Sequence, residues 1–315
     1  MDAAYKRLLQ KQGYKFIGEH SACKTCLYTS KSIASGGSCY KQRFYGIQSH
    51  RCIQMSVAVN FCDLDCIFCW RKRNNSPFGK LDNPKELVDN AIEAQKALVA
   101  GFGGHPNVNL KKWGESRKPI HFAISLNGES TAYHRLGEFI REVHKQGHTT
   151  FLVTNGQFPE AIATITPPTQ LYVSLSAPNE KLFKQIGKPM HRDGWQRLMK
   201  SLDVLKILRK QGKTRTTIRL TLMRGITMLP EYAEKFARLI KRANPMFLEV
   251  KSYSWLGSSR ERLEKSNAAS YAEIKRFAER IGRHCNYRFF DGQPEAKVVL
   301  MMQEEIPGRF LNIEN

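Results

Sequence analysis

Cys62, Cys66 and Cys69 stand in the run Asn60-Phe61-Cys62-Asp63-Leu64-Asp65-Cys66-Ile67-Phe68-Cys69-Trp70, with the spacing C-x3-C-x2-C. Three thiolates this close can hold three irons of a [4Fe–4S] cube and leave the fourth iron without a protein ligand. The amino and carboxylate groups of S-adenosylmethionine (SAM) can chelate such an open iron. Zinc is the alternative, but it needs a fourth ligand and more often shows C-x2-C pairs.

A second cysteine set precedes the first. Cys26, Cys39 and Cys52 are separated by equal gaps of 12 residues, and Cys23 adds a C-x2-C pair with Cys26. A four-thiolate zinc site and a second three-cysteine [4Fe–4S] cluster both fit this spacing. Lys41 lies two residues from Cys39. Positive neighbours and desolvation there can lower an amine's pKa and favour a Schiff base. A solvated surface lysine is the plain alternative. The C-x3-C-x2-C run, with an aromatic just before its last cysteine, resembles the radical SAM superfamily signature.

These loops need a scaffold. Residues 54–60 read as a strand running into the Cys62 loop. A helix is predicted over about 84–100, capped by Asn83, with Pro84 at its first position and Gly101 as its stop. Strand-like runs at 119–125, 149–153, 170–175, 216–223 and 246–251 then alternate with helices near 131–146, 194–210, 231–242 and 269–283. Six βα units therefore follow residue 53. That order implies an α/β fold with a parallel sheet and right-handed crossovers. The length favours an incomplete (βα)6 barrel, with a doubly wound sheet as the alternative. A cysteine-rich amino-terminal extension is expected over 1–53, the barrel core over 54–285 and a tail over 286–315 with strands near Tyr287 and Val298.

Barrels bind ligands at the carboxyl ends of their strands. Asn127, Gly128 and Glu129 follow the second strand, where backbone and carboxylate can meet the SAM amino group; a turn and helix cap is the alternative. Thr154, Asn155, Ser176, Arg219 and Thr221 sit at or near later strand ends. They are candidates for the ribose hydroxyls and the methionine carboxylate. Gly101-Phe102-Gly103-Gly104 follows a helix and lacks a phosphate-loop pattern.

Fifty Lys and Arg against 28 Asp and Glu give a net charge of +22. That excess points to a polyanionic partner, and RNA fits best. Candidate phosphate contacts are Lys72, Arg73, Lys111, Lys112, Lys251 and Arg260, with Trp70 and Trp255 as stacking platforms. No stretch approaches the roughly 20 apolar residues of a membrane span, and the first residues lack a signal-peptide core. A cytoplasmic monomer is expected. Seven of the eight cysteines fall between Cys23 and Cys69, which favours metal or redox use over disulfides.

Three segments together resemble one family, the tRNA 4-demethylwyosine synthases of wybutosine biosynthesis, in the archaeal form without a flavodoxin domain. They are His20-Ser21-Ala22-Cys23-Lys24-Thr25-Cys26, Cys39-Tyr40-Lys41-Gln42-Arg43-Phe44-Tyr45-Gly46-Ile47 and Phe247-Leu248-Glu249-Val250-Lys251-Ser252-Tyr253-Ser254-Trp255-Leu256-Gly257. The resemblance implies two [4Fe–4S] clusters, one on Cys62, Cys66 and Cys69 that binds SAM and one on Cys26, Cys39 and Cys52. It implies that Lys41 engages pyruvate as a Schiff base. It also implies a radical that takes hydrogen from N1-methylguanosine at position 37 in the anticodon loop of tRNA(Phe). Two pyruvate carbons then complete the tricyclic base, and a separate protein donates the electron. Radical chemistry on another RNA or a peptide, and a non-catalytic zinc-binding RNA protein, are the rival readings.

Overall fold

A computed structural model describes residues 1–72 and 74–311. Arg73 lies outside them. A short antiparallel hairpin, β1 (Lys15–Phe16) and β2 (Ala22–Cys23), joins the edge of β3 (Cys52–Ser56). Five strands follow β3 in parallel and in chain order: β4 (His121–Ile124), β5 (Thr149–Thr154), β6 (Gln170–Ser174), β7 (Arg215–Leu222) and β8 (Phe247–Ser252). After the last long helix, β9 (Arg288–Gln293) and β10 (Val298–Met302) return antiparallel, with β10 on β8.

Strand periodicity sorts the side chains into two cores. Ile53, Met55, Phe122, Ile124, Leu152, Leu171, Val173, Ile218, Leu220, Leu248 and Val250 face the surrounding helices and are buried there. Each such side chain contributes roughly 1.5–3 kcal/mol. The opposite face curls around an interior filled by Phe151, Tyr172, Phe247, Val298 and Leu300. Into that interior the helix Tyr40–Tyr45 inserts Tyr40, Phe44 and Tyr45. An amino-terminal segment thus plugs a partial six-stranded barrel.

The long helices form where predicted, with Asn83 accepting from the Lys85 and Glu86 amides at the start of Pro84–Val99. The first parallel strand begins earlier than predicted and ends at Ser56, so residues 57–60 already belong to the loop. The helix expected from 131 starts at Leu136, because Ser130–Ala132 forms a separate turn capped by Glu129. Three short helices, Leu110–Ser116, Pro159–Thr164 and Glu180–Gly187, fill stretches read as loops. At about two turns they are too short to show a period. The extension, core and tail share one continuous ten-stranded sheet, and Cys52 opens its first parallel strand. Among the described residues no helix is long and apolar enough to cross a membrane.

Candidate active site

The upper site lies where the parallel strands end. Cys62, Cys66 and Cys69 line a cavity there with Ser125, Asn127, Gly128, Glu129, Val153, Thr154, Asn155 and Ser174. The cysteine loop is fixed by backbone bonds to the carboxyl end of the helix Glu180–Gly187: Asp65 N–H donates to Gly187 at 2.9 Å and Ile67 N–H to Ile186 at 2.8 Å. Arg262 clamps its far end, donating to the Cys69 carbonyl at 2.7 Å. All three thiols are free, and burial pushes each of them up. Thiols so disfavoured as anions suit an iron core, whose positive charge deprotonates its ligands. Among the described residues no three ligand-type side chains are gathered tightly enough for a single metal ion. A four-iron cube instead takes one thiolate per iron.

Gly128 sits at φ +66° against this loop, and a Cβ there would strike the backbone carbonyls of Ala58 and Phe61. The next amide, Glu129 N–H, donates to the Phe61 carbonyl at 2.8 Å. Glycine is what lets the two loops meet. The Glu129 carboxylate accepts from the Thr131 amide at 3.0 Å and from the Asn155 amide at 2.7 Å. It is therefore both a cap and a wall of the cavity. Burial, then the nearby Asp63 carboxylate, push Glu129 up to about 7. Asn155 donates its side chain to Asp63 at 2.8 Å, within 3.8 Å of the Cys62 sulfur. Asn127 donates to the Tyr5 hydroxyl at 3.1 Å, which ties the first helix, Ala3–Lys11, to the cavity rim.

The lower site lies inside the barrel. Cys26 and Cys39 each precede a short helix, and Cys52 begins β3. Burial pushes Cys39 up to about 11, with Cys26 adding to the rise and Lys41 opposing it. Burial likewise pushes Cys52 up to about 12, opposed by Lys41. Cys39 and Cys52 thus each feel Cys26 and Lys41, as side chains gathered around one site would. Lys41 is buried, its Nζ 4.9 Å from the Phe151 ring centre and 4.6 Å from that of Tyr172. Burial, then Arg219, lower its pKa. Cys23 is a different case: it pairs with Met55 across the hairpin edge and packs in the outer core, on the face opposite Cys52.

Most predicted cofactor residues converge on the upper cavity: Asn127, Gly128, Glu129, Thr154 and Asn155 all line it. Ser176 is not in that lining; Ser174, two residues earlier and inward on β6, is. Arg219 does not reach the upper site either. It donates to Glu249 at 3.0 Å and to the Tyr40 hydroxyl at 2.8 Å, inside the lower one. Lys251, expected on phosphate, faces the same interior, its Nζ 5.5 Å from the Tyr40 ring centre. Lys111 and Lys112 stand on Leu110–Ser116, which precedes β4, and so lie at the wrong end of the barrel for the cavity mouth. Lys72 and Trp70 do line the mouth; Trp70 is 43% exposed, with the Arg71 guanidinium 3.4 Å over its ring centre. Trp255 is half-buried, its indole donating to the Leu263 carbonyl and Arg260 lying 4.5 Å over its ring centre.

Residues 56–240 match the model of the radical SAM superfamily, and residues 242–303 match one for wyosine base formation. The S-adenosyl-L-methionine-dependent tRNA 4-demethylwyosine synthase of Pyrococcus horikoshii is 41% identical, over 98% of this chain and 91% of its own. That of Methanocaldococcus jannaschii is 36% identical, over 95% of each. A solved structure of TYW1 with a lysine-pyruvate adduct bound has a TM-score of 0.89 at 34% identity, covering 99% of both chains. A crystal structure of archaeal TYW1 has a TM-score of 0.81 at 31% identity, covering 99% of this chain and 100% of that one.

Proposed function

The chain belongs to the SAM-dependent tRNA 4-demethylwyosine synthases of the radical SAM superfamily, and from that premise we propose how its two sites divide the reaction. Cys62, Cys66 and Cys69 hold the SAM-binding [4Fe–4S] cluster, and Cys26, Cys39 and Cys52 hold a second. When bound, the upper cluster and SAM supply a one-electron cleavage that yields a hydrogen-abstracting radical. Gly128 and Glu129 seat the SAM amino group, and Thr154, Asn155 and Ser174 bound the rest of the molecule. Lys41 takes pyruvate: its neutral nitrogen adds to the keto carbon, both amine hydrogens leave with the keto oxygen as water, and an imine remains. The target is N1-methylguanosine at position 37 of tRNA(Phe), whose loop nucleotides can be splayed out for a few kcal/mol.

One relationship carries this reading. Val153 and Ser174 line the upper cavity, while Phe151 and Tyr172, two residues earlier on the same strand faces, lie under the Lys41 ammonium. Two residues of strand span about 7 Å. A radical made above and a keto acid held below are thus one side-chain layer apart, the distance a bond-forming step across a single nucleobase needs.

The test uses anaerobically reconstituted protein with reductant, SAM, pyruvate and tRNA bearing N1-methylguanosine at position 37, followed by nucleoside analysis. A tricyclic base is expected, with none in the Lys41→Ala variant although deoxyadenosine still forms there. Deoxyadenosine without any new base in the unsubstituted protein would overturn the substrate assignment.

A further inference from the structure

We propose that Lys251 recognises the carboxylate of the keto acid bound at Lys41, and so selects a 2-keto acid over a neutral ketone. The proposal rests on the reading of Lys41 as the imine-forming amine.

Around the Glu249 carboxylate the lower chamber holds the cationic side chains Lys41, Arg219 and Lys251. A further one, Arg215, lies over Tyr45 and Phe247 and donates to the Gly308 and Arg309 carbonyls. Both Glu249 oxygens are committed. One accepts from the Tyr45 hydroxyl at 2.8 Å; the other accepts from Tyr40 at 3.2 Å and from Arg219 at 3.0 Å. Arg219 is neutralised in return by that ion pair, and it also donates to the Tyr40 hydroxyl at 2.8 Å. Lys41 rests on two aromatic rings and must give up its charge to attack a carbonyl. That leaves Lys251. It follows Phe247 and Glu249 on the inward face of β8, and among the described residues it makes no ion pair.

Lys251 is half-buried, and an ammonium partly withdrawn from water without a counter-ion carries a cost that a small anion seated beside it offsets. Lys251 Nζ lies 5.5 Å from the Tyr40 ring centre and Lys41 Nζ 4.6 Å from that of Tyr172. Arg219 links the two rings, 4.5 Å over Tyr172 and donating to the Tyr40 hydroxyl. The two nitrogens thus approach the same aromatic-lined space, one from β8 and one from the helix Tyr40–Tyr45. A keto acid suits such a pair, with its keto carbon at one nitrogen and its carboxylate at the other. Imine formation at Lys41 releases only water and leaves the carboxylate charge in place, so the Lys251 contact survives the step.

Adduct trapping tests this directly. Cyanoborohydride delivers hydride to the imine carbon and fixes the adduct, and the modified Lys41 peptide is counted by mass spectrometry. Trapping in the reconstituted protein is followed against the concentration of pyruvate and, separately, of methyl pyruvate, which keeps the ketone and lacks the charge. Lys251→Met is expected to raise the half-saturating pyruvate concentration about tenfold to a hundredfold, the worth of a hydrogen bond to a charged group. The methyl pyruvate curve should stay in place. Lys251→Arg, which keeps the charge, should retain part of the preference. Iron per chain, measured on each variant, reports that the fold and both clusters survive.

An equal loss for both ketones would overturn the proposal, because a lysine acting through the thiols does not distinguish them. Identical pyruvate curves for Lys251→Met and the unsubstituted protein would overturn it as well. If no adduct forms on Lys41 even without substitution, the Lys41 reading fails and this inference falls with it. An adduct formed equally well in the methionine variant sinks this inference alone.

Discussion

Tyr45 donates its hydroxyl to Glu249 at 2.8 Å across 204 residues of sequence. With Tyr40 on the same helix, it pins the segment that begins at Cys39 and carries Lys41 against β8. Replacing Glu249 with leucine strands the buried Arg219 guanidinium and two phenols. The expected cost is about 3–5 kcal/mol. Glu249→Gln keeps an acceptor and should cost about 1–3 kcal/mol. Chemical unfolding of the cofactor-free protein measures both. A leucine variant as stable as the parent would show that the pin holds nothing.

Gly128→Ala forces a methyl group toward two fixed carbonyls at a left-handed φ. The loop must move or the Glu129–Phe61 bond must break, at a cost of about 1–3 kcal/mol. The damage should be local. SAM affinity is expected to fall at least tenfold in equilibrium binding, while trapping of pyruvate on Lys41 continues. An alanine variant that binds SAM normally would remove the close approach from the account of the site.

Cys23→Ala should leave iron per chain unchanged, because Cys23 packs among Ile53 and Met55 in the outer core. A buried side chain trimmed this slightly costs about 1 kcal/mol. Cys52→Ala should lose the iron of the lower site alone. If iron falls in the Cys23 variant, the fourth ligand lies on the hairpin after all.

Glu129 gives the cofactor-free protein a pH signature. Its carboxyl titrates at about 7 in the fold, against 4.5 for an ordinary glutamate. Between those values the unfolded chain releases a proton that the folded chain keeps. Stability from this group therefore declines as pH rises from about 4.5 to about 7 and is level above. Glu129→Gln has no proton to lose, so its stability should fall less across that window. Unfolding midpoints that run parallel for the two proteins from pH 4.5 to 7.5 would refute the assignment.

The upper site was readable because its determinants are local. Three cysteines within eight residues and a Gly-Glu turn after a strand need no knowledge of the fold. The lower site was half readable. Its cysteines and Lys41 stood out by type and spacing, but Arg219 and Lys251 were expected on cofactor and phosphate, and Glu249 was given no role. On β8, polar Glu249 and Lys251 alternate with apolar Leu248 and Val250, the pattern of a strand with one wet face. Here the polar face points into the barrel, and nothing within one strand marks that inversion. Ser174 was passed over for Ser176 for a related reason: which parity faces inward is set by neighbouring strands. The Asn127–Tyr5 contact spans 122 residues and leaves no local trace.

The plugged barrel also imposes a timetable. Its floor is taken by the Tyr40–Tyr45 helix and the Glu249 network, and Lys41 lies one layer below the cavity at the strand ends. Under the proposed division of the reaction between the two sites, a keto acid that descends through the mouth must do so before a nucleotide settles there. Once the RNA loop is seated it acts as a stopper, confining the smaller reactant with the chemistry above it. Depth in this interior is then equivalent to order of arrival, and the slowest visitor to leave is the first that came.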